Sequence, residues 1–69
     1  MFIELTEIVS LTSGEKRVKI HVAVGKILII FPPHDDSEGT MITLEHGCIQ
    51  VAENIKDVLG RISAITGRY

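Results

Sequence analysis

The segment TMITLEHGCIQVAEN, residues 40–54, decides the fold that we expect for this chain. Apolar and polar residues alternate through TMITLE, as in a strand with one buried face. A second short alternating run, CIQVA, follows the pair His46-Gly47. This pair resembles the Asn-Gly pair of a two-residue hairpin turn, because Gly tolerates positive φ. The segment therefore predicts a β-hairpin, and the polar pair that ends it can start a helix.

The residues that follow predict one helix at the C-terminal end. Asn54 is a suitable N-cap, and Asp57 places a negative charge in the first turn, where the helix dipole favours it. The apolar residues then fall on one stripe of a helix, namely Ile55, Val58, Leu59, Ile62 and Ile65. We expect Gly67 to end the helix, since Gly readily adopts the left-handed conformation of a C-cap.

Two strands are predicted at the N-terminal end. Alternation in FIELTEI indicates a first strand at about residues 2–8, and the turn-forming residues of SLTSGEK follow at 10–16. From Arg17 to about Val22 the alternation is regular and indicates a second strand with one wet face. Gly25 then permits a bend or bulge.

The third predicted strand, KILIIF at 26–31, is apolar on both faces. By alternation Ile27 and Ile29 project to one side, and Leu28 and Ile30 to the other. A strand of this kind normally lies in the middle of a sheet that is covered on both sides, but this chain has one helix to provide cover. Two alternatives follow: the sheet curls and buries its second face within itself, or that face meets another molecule, most simply a second copy.

Length and composition predict a single α+β domain over residues 1–69. The chain has 69 residues, and we expect a twisted antiparallel sheet of about five strands with the helix packed on it. One Cys excludes an internal disulfide, and we expect Cys48 to be a small buried hydrophobe. The start MFIELTEI lacks a cationic signal-peptide region, and no apolar run reaches the ~20 residues of a membrane-spanning helix. A cytoplasmic location is therefore expected.

Candidate chemistry is sparse. The acidic loop PPHDDSEG, residues 32–39, lacks the spacing of an EF-hand, and three scattered histidines give no zinc signature. A turn between His46 and Cys48 would break the geometry of a nucleophile and base pair. The sequence thus predicts no catalytic residue, no metal site and no cofactor, and we expect the protein not to be an enzyme.

The order of elements resembles the small flagellar FlbD-like (swarming motility) family and similar short proteins of phages and prophages. The residues that carry the likeness are the opening FIELTEI, the arm KIHVAVGKILII and the segment ITLEHGCIQVAENIKDVLGRI. Three features depart from the family pattern: the longer first turn VSLTSGEKR, His46-Gly47 in place of Asn-Gly, and Pro32-Pro33 at the head of the loop. The resemblance implies a non-enzymatic cytoplasmic accessory protein, and it supplies no catalytic residues.

Three functional hypotheses follow. The first is a protein-binding accessory or regulatory module, a homodimer through the apolar third strand. Its contacts would come from Ile27, Leu28, Ile29 and Ile30, with Asp35, Asp36 and Glu38 giving charged specificity at the rim.

The second hypothesis is a phage-encoded inhibitor that turns the acidic loop against a host nucleic-acid-binding defence complex. The third is a sheet that binds nucleic acid through Arg17 and Lys19. Stacking aromatics are few and the formal net charge is −2, so both composition and charge disfavour nucleic acid as a partner.

Overall fold

The α+β fold is confirmed by a computed structural model that describes residues 1–33 and 38–66. Five antiparallel strands form one sheet, and a single helix ends the described chain. The strands are β1 (Phe2–Leu11), β2 (Gly14–Ala23), β3 (Ile29–Phe31), β4 (Thr40–Leu44) and β5 (Gly47–Val51), and the helix is α1 (Ile55–Thr66).

The first hairpin is longer than the sequence predicts. β1 and β2 pair continuously from Phe2 opposite Ala23 to Leu11 opposite Gly14, so that the turn consists of Thr12 and Ser13 alone. The distal half of the hairpin projects beyond the core, where its residues are mostly exposed. Alternation of apolar and polar residues identifies a strand that has one buried face. The distal residues of this hairpin are mostly exposed on both faces, so the alternation pattern did not identify them as strand residues.

The β4–β5 hairpin was predicted correctly, but its turn lies one residue earlier. Leu44 pairs with Gly47, so the two turn residues are Glu45 and His46. Gly47 has φ of 144°, and no non-glycine residue within the described ranges has positive φ. Gly47 thus adopts a positive φ, which residues with a side chain avoid, and it lies directly after the turn instead of within it. Gly14, with φ of 131°, does the same in the first hairpin.

The strand order is β2-β1-β5-β4-β3, which places β3 at an edge. A strand that is apolar on both faces normally lies in the middle of a sheet, whereas this one lies at the edge. A one-turn 3-10 helix at Val24–Lys26 follows β2, and it shortens the third strand to three residues. β1 and β5 meet through the pair Glu7 and Val51, and the Ala52 N–H donates to the Thr6 carbonyl oxygen at 2.7 Å.

The helix begins where the sequence predicts. The Asn54 side-chain oxygen Oδ1 accepts a hydrogen bond from the Asp57 N–H at 2.8 Å, and the Asn54 carbonyl accepts from the Val58 N–H at 3.0 Å. Asn54 is therefore the N-cap. The predicted C-cap, Gly67, lies outside the described residues.

The core lies between one face of the sheet and α1. Its buried members, all less than a tenth exposed, are Ile3, Leu5, Val22, Ile42, Val51 and Val58. Of the predicted helical stripe, Val58 is fully buried and Ile62 packs against the core, whereas Leu59 and Ile65 are exposed. Thr40 is the buried polar residue of this region, and its hydroxyl donates to the Glu53 carbonyl oxygen at 2.8 Å.

Candidate protein-binding surface

The apolar segment around β3 divides between the core and the surface. Ile27 and Ile30 are partly buried and pack against the core cluster. Leu28 and Ile29, in contrast, are 61% and 58% exposed. The four residues that the sequence grouped as one binding set therefore have two roles, and two of them form the exposed part.

The open edge of β3 adds backbone groups to these two side chains. β3 pairs with β4 on one side, with Ile30 opposite Ile42, and has no strand partner within the described residues on its other side. In an edge strand, alternate N–H and C=O groups point outward and can pair with another chain. Pro32 and Pro33 follow directly and cannot donate to a ladder, so they limit the length of any such pairing.

The opposite edge of the sheet has a different character. β2 forms that edge, and its exposed residues include Glu15, Lys16, Arg17, Lys19 and His21. Charged side chains along an edge oppose association with another strand. Of the two edges, β3 is therefore the one suited to strand pairing, because its exposed side chains are apolar.

The basic residues predicted to contact nucleic acid are paired with acidic residues. The Arg17 guanidinium forms an ion pair with the Glu38 carboxylate, and the Lys19 Nζ lies 3.6 Å from an oxygen of Glu4. Both pairs are exposed, so each contributes little to stability. They nevertheless leave less positive charge for a phosphate backbone than the sequence alone indicates.

Of the three acidic residues in the loop, Glu38 is the one that lies within the described residues. Besides its ion pair with Arg17, Glu38 accepts a hydrogen bond from the Gln50 Nε2 through its backbone oxygen, at 3.0 Å. These contacts tie the end of the loop to β2 and β5. Asp35 and Asp36, which the sequence assigned to the same rim, lie outside the described residues.

Cys48 is exposed, and the expectation that it is buried is wrong. It lies opposite Thr43 on β4, where the Thr43 Oγ1 and Cys48 Sγ atoms are 3.9 Å apart. This face of the hairpin is turned away from Ile42 and Val51, the neighbours that fill the core. Within the described residues, no three His, Cys, Asp or Glu side chains come together as metal ligands.

A groove of about 490 Å³ opens between the end of β2 and the β4–β5 hairpin. Its lining is Phe2, Glu7, Ile20, His21, Val22, Ala23, Lys26, Leu44, Glu45, His46 and Ile49. The Lys26 Nζ lies 3.4 Å from an oxygen of Glu45. This ion pair links the 3-10 turn to the β4–β5 hairpin at the edge of the groove. We call this feature the hairpin groove.

Glu53 connects the start of the helix to β1. Its carboxylate accepts hydrogen bonds from the Thr6 N–H at 2.9 Å and the Thr6 hydroxyl at 3.0 Å, and Arg61 lies 3.9 Å away. Burial alone raises the pKa of the Glu53 carboxyl. The hydrogen bonds from Thr6 and from its own backbone N–H, together with Arg61, outweigh burial and hold the pKa below its ordinary value of 4.5. Glu53 thus holds the start of the helix against β1.

Comparison with protein-family models, with curated proteins and with solved structures found no match. The resemblance to the FlbD-like family therefore stays a prediction. Across residues 1–33 and 38–66, no helix has the length and apolar character needed to cross a membrane.

Sequence reasoning missed the hairpin groove and the role of Glu53. A signal for the groove was present in β1, where Ile3, Leu5 and Glu7 occupy successive positions of one face. A carboxylate at the third position of an otherwise apolar face is unusual for a residue that only fills a core. Glu53 gave no such signal, because its partner Thr6 is 47 residues away in the chain.

Proposed function

We propose that this domain is a non-enzymatic protein-binding module that pairs with a second copy of itself through the edge of β3. The single observation that carries the proposal is an open strand edge with two exposed apolar side chains, Leu28 and Ile29. Large apolar side chains grouped at a surface typically mark an interface.

A second copy suits this edge because β3 is complementary to itself. In an antiparallel pairing about a two-fold axis at Ile30, Ile29 of one copy would lie opposite Phe31 of the other. Each copy would then cover apolar side chains of its partner, and outward backbone groups would be satisfied on both sides. The charged β2 edge offers no comparable pairing.

An accessory or regulatory role in the cytoplasm accords with the resemblance to the FlbD-like family. No three His, Cys, Asp or Glu side chains of residues 1–33 and 38–66 come together as metal ligands. The proposal rests on recognition of a protein surface and needs no chemical step.

The test compares two neighbouring residues that face opposite sides of β3. Ile29→Asp places a charge on the exposed side, and Ile30→Asp places one against the core, where an unpaired charge is costly. By size-exclusion chromatography with light scattering, we expect Ile29→Asp to be a folded monomer and the wild type a dimer. Circular dichroism should show Ile30→Asp unfolded. A monomeric wild type, or a dimeric Ile29→Asp, would refute pairing through β3.

A further inference from the structure

The hairpin groove contains a carboxylate, that of Glu7, for which no described residue is a hydrogen-bond or ion-pair partner. Glu7 lines it, and the register places Glu7 on the same face as Leu5 and Val51, both fully buried. The Glu7 side chain is half-buried, and its carboxylate makes no hydrogen bond or ion pair with another residue in 1–33 or 38–66. A half-buried carboxylate gains most from a cationic partner that also excludes water.

The remaining lining is chiefly apolar or already neutralised. Ile20, Leu44 and Ile49 are half-buried aliphatic side chains, and the Phe2 ring is exposed at the groove. Lys26 and Glu45 form an ion pair, so Glu7 supplies the net charge of the lining when both histidines are neutral. The groove thus offers aliphatic walls and one negative charge.

We propose that the hairpin groove binds an arginine or lysine side chain that a protein partner presents next to aliphatic residues. The methylene groups of such a side chain pack on apolar walls, and its charged end reaches a carboxylate. Arginine fits best, because its planar fork can donate two hydrogen bonds to one carboxylate. The volume of about 490 Å³ is within the usual range of about 300–1,000 Å³ for sites that enclose a ligand.

This site is separate from the β3 edge. Neither Leu28 nor Ile29 lines the groove. A dimer formed through β3 would therefore leave the hairpin groove available for a further partner, and the two surfaces can be tested independently.

The test is an NMR titration of the full ¹⁵N-labelled chain with capped tripeptides. The probe is acetyl-Ile-Arg-Ile-amide, and the comparison is the citrulline peptide, which keeps the shape of arginine but lacks its charge. We expect chemical-shift changes to centre on Glu7, Ile20, Leu44 and Ile49. The arginine peptide should bind at least about tenfold more tightly than the citrulline peptide.

Matched variants identify the carboxylate responsible. Glu7→Gln should remove the preference for arginine, whereas Glu15→Gln, at an exposed position of β2 outside the groove, should preserve it. Thermal unfolding of each variant reports whether it remains folded, and the citrulline comparison on the wild type needs no variant. Equal affinity for the two peptides, or shift changes away from the groove, would overturn the proposal.

Two further titrations test whether a small cation or a second copy of the chain occupies the groove instead of a protein partner. Butylguanidine that binds as tightly as the peptide would indicate a site for small cations and contradict a protein partner. Groove resonances that shift with protein concentration in the absence of peptide would assign the groove to a second copy, and would also contradict the proposal. We expect the Ile29→Asp variant to bind the arginine peptide with unchanged affinity. Loss of β3 pairing and loss of peptide binding in the groove can therefore be distinguished.

Discussion

Replacing Glu53 by alanine removes the carboxylate that joins the helix start to β1. Its side chain is 12% exposed and accepts two hydrogen bonds from Thr6, at 2.9 and 3.0 Å. Hydrogen bonds to a charged group contribute roughly 1.5–3 kcal/mol each, and water that enters the space recovers part of the loss. Arg61 adds little, because its side chain is 43% exposed and its nitrogen lies 3.9 Å from the carboxylate, near the limit for an ion pair. We expect a net loss of about 2–3 kcal/mol.

That loss is large for so small a domain. A chain of this length has a free energy of unfolding of about 3–10 kcal/mol. Each kcal/mol lowers the melting temperature of a domain this size by roughly 4–8 °C. Thermal unfolding followed by circular dichroism at pH 7 should therefore show Glu53→Ala melting about 10–20 °C below the wild type. Glu45→Gln is the matched control, since Glu45 is exposed and its ion pair with Lys26 is solvated; its melting temperature should be nearly unchanged.

The same carboxylate predicts part of the acid dependence of stability. The pKa of Glu53 is lower in the folded chain than its ordinary value of 4.5. The folded state therefore favours the ionised form, and this stabilisation is fully present above pH 4.5 and is lost as the pH falls through the folded pKa. Glu53→Gln should be less stable than the wild type at pH 7, and its melting temperature should fall less steeply below pH 4.5.

Two results would contradict this reasoning. A melting temperature of Glu53→Ala within about 3 °C of the wild type would show that the contacts with Thr6 contribute nothing net. An acid transition of Glu53→Gln that parallels the wild type would show that Glu53 is not the titrating group.

Three further substitutions, and Gly25→Ala as a control for the first of them, test the fold. Gly39→Ala should destabilise by at least about 2 kcal/mol in denaturant unfolding, because φ is 94° and a Cβ would lie 1.8 Å from the Val51 carbonyl oxygen. Gly25→Ala, with nothing within 4 Å, should be neutral, and an equal effect at both sites would refute the argument. Asn54→Ala should cost about 1 kcal/mol and lower the helical circular dichroism signal, unless the N-cap contributes nothing. Ile42 is fully buried, so Ile42→Ala should lower the free energy of unfolding by about 2–5 kcal/mol. A loss below about 1 kcal/mol would contradict the place of Ile42 in the core.

The sequence predicted those elements whose signals are local. Asn54 and Asp57 are three residues apart, and their hydrogen bond is the cap that the spacing indicates. Apolar alternation in TMITLE likewise identified β4, because Ile42 faces the core and Thr43 does not.

The order of the strands in the sheet could not be predicted from local sequence patterns. KILIIF has apolar residues on both faces, a pattern that is usual in central strands, yet β3 lies at an edge and the 3-10 turn precedes it. Cys48 was expected in the core from residue type alone, whereas its position opposite Thr43 is set by the register of the hairpin. Glu7 could have been noticed as a carboxylate at an inward position, but its groove forms only when the β4–β5 hairpin meets β2.

The measurement that most directly tests the central claim is sedimentation equilibrium on the wild type and two variants of exposed apolar residues. Leu11→Asp is the control for Ile29→Asp, since Leu11 is 49% exposed but lies at the tip of the first hairpin, away from β3. We predict a mass of twice the 7.6 kDa chain for the wild type and Leu11→Asp, and of one chain for Ile29→Asp. A wild type that remains at the mass of one chain, or an Ile29→Asp variant that remains dimeric, would contradict binding through the β3 edge.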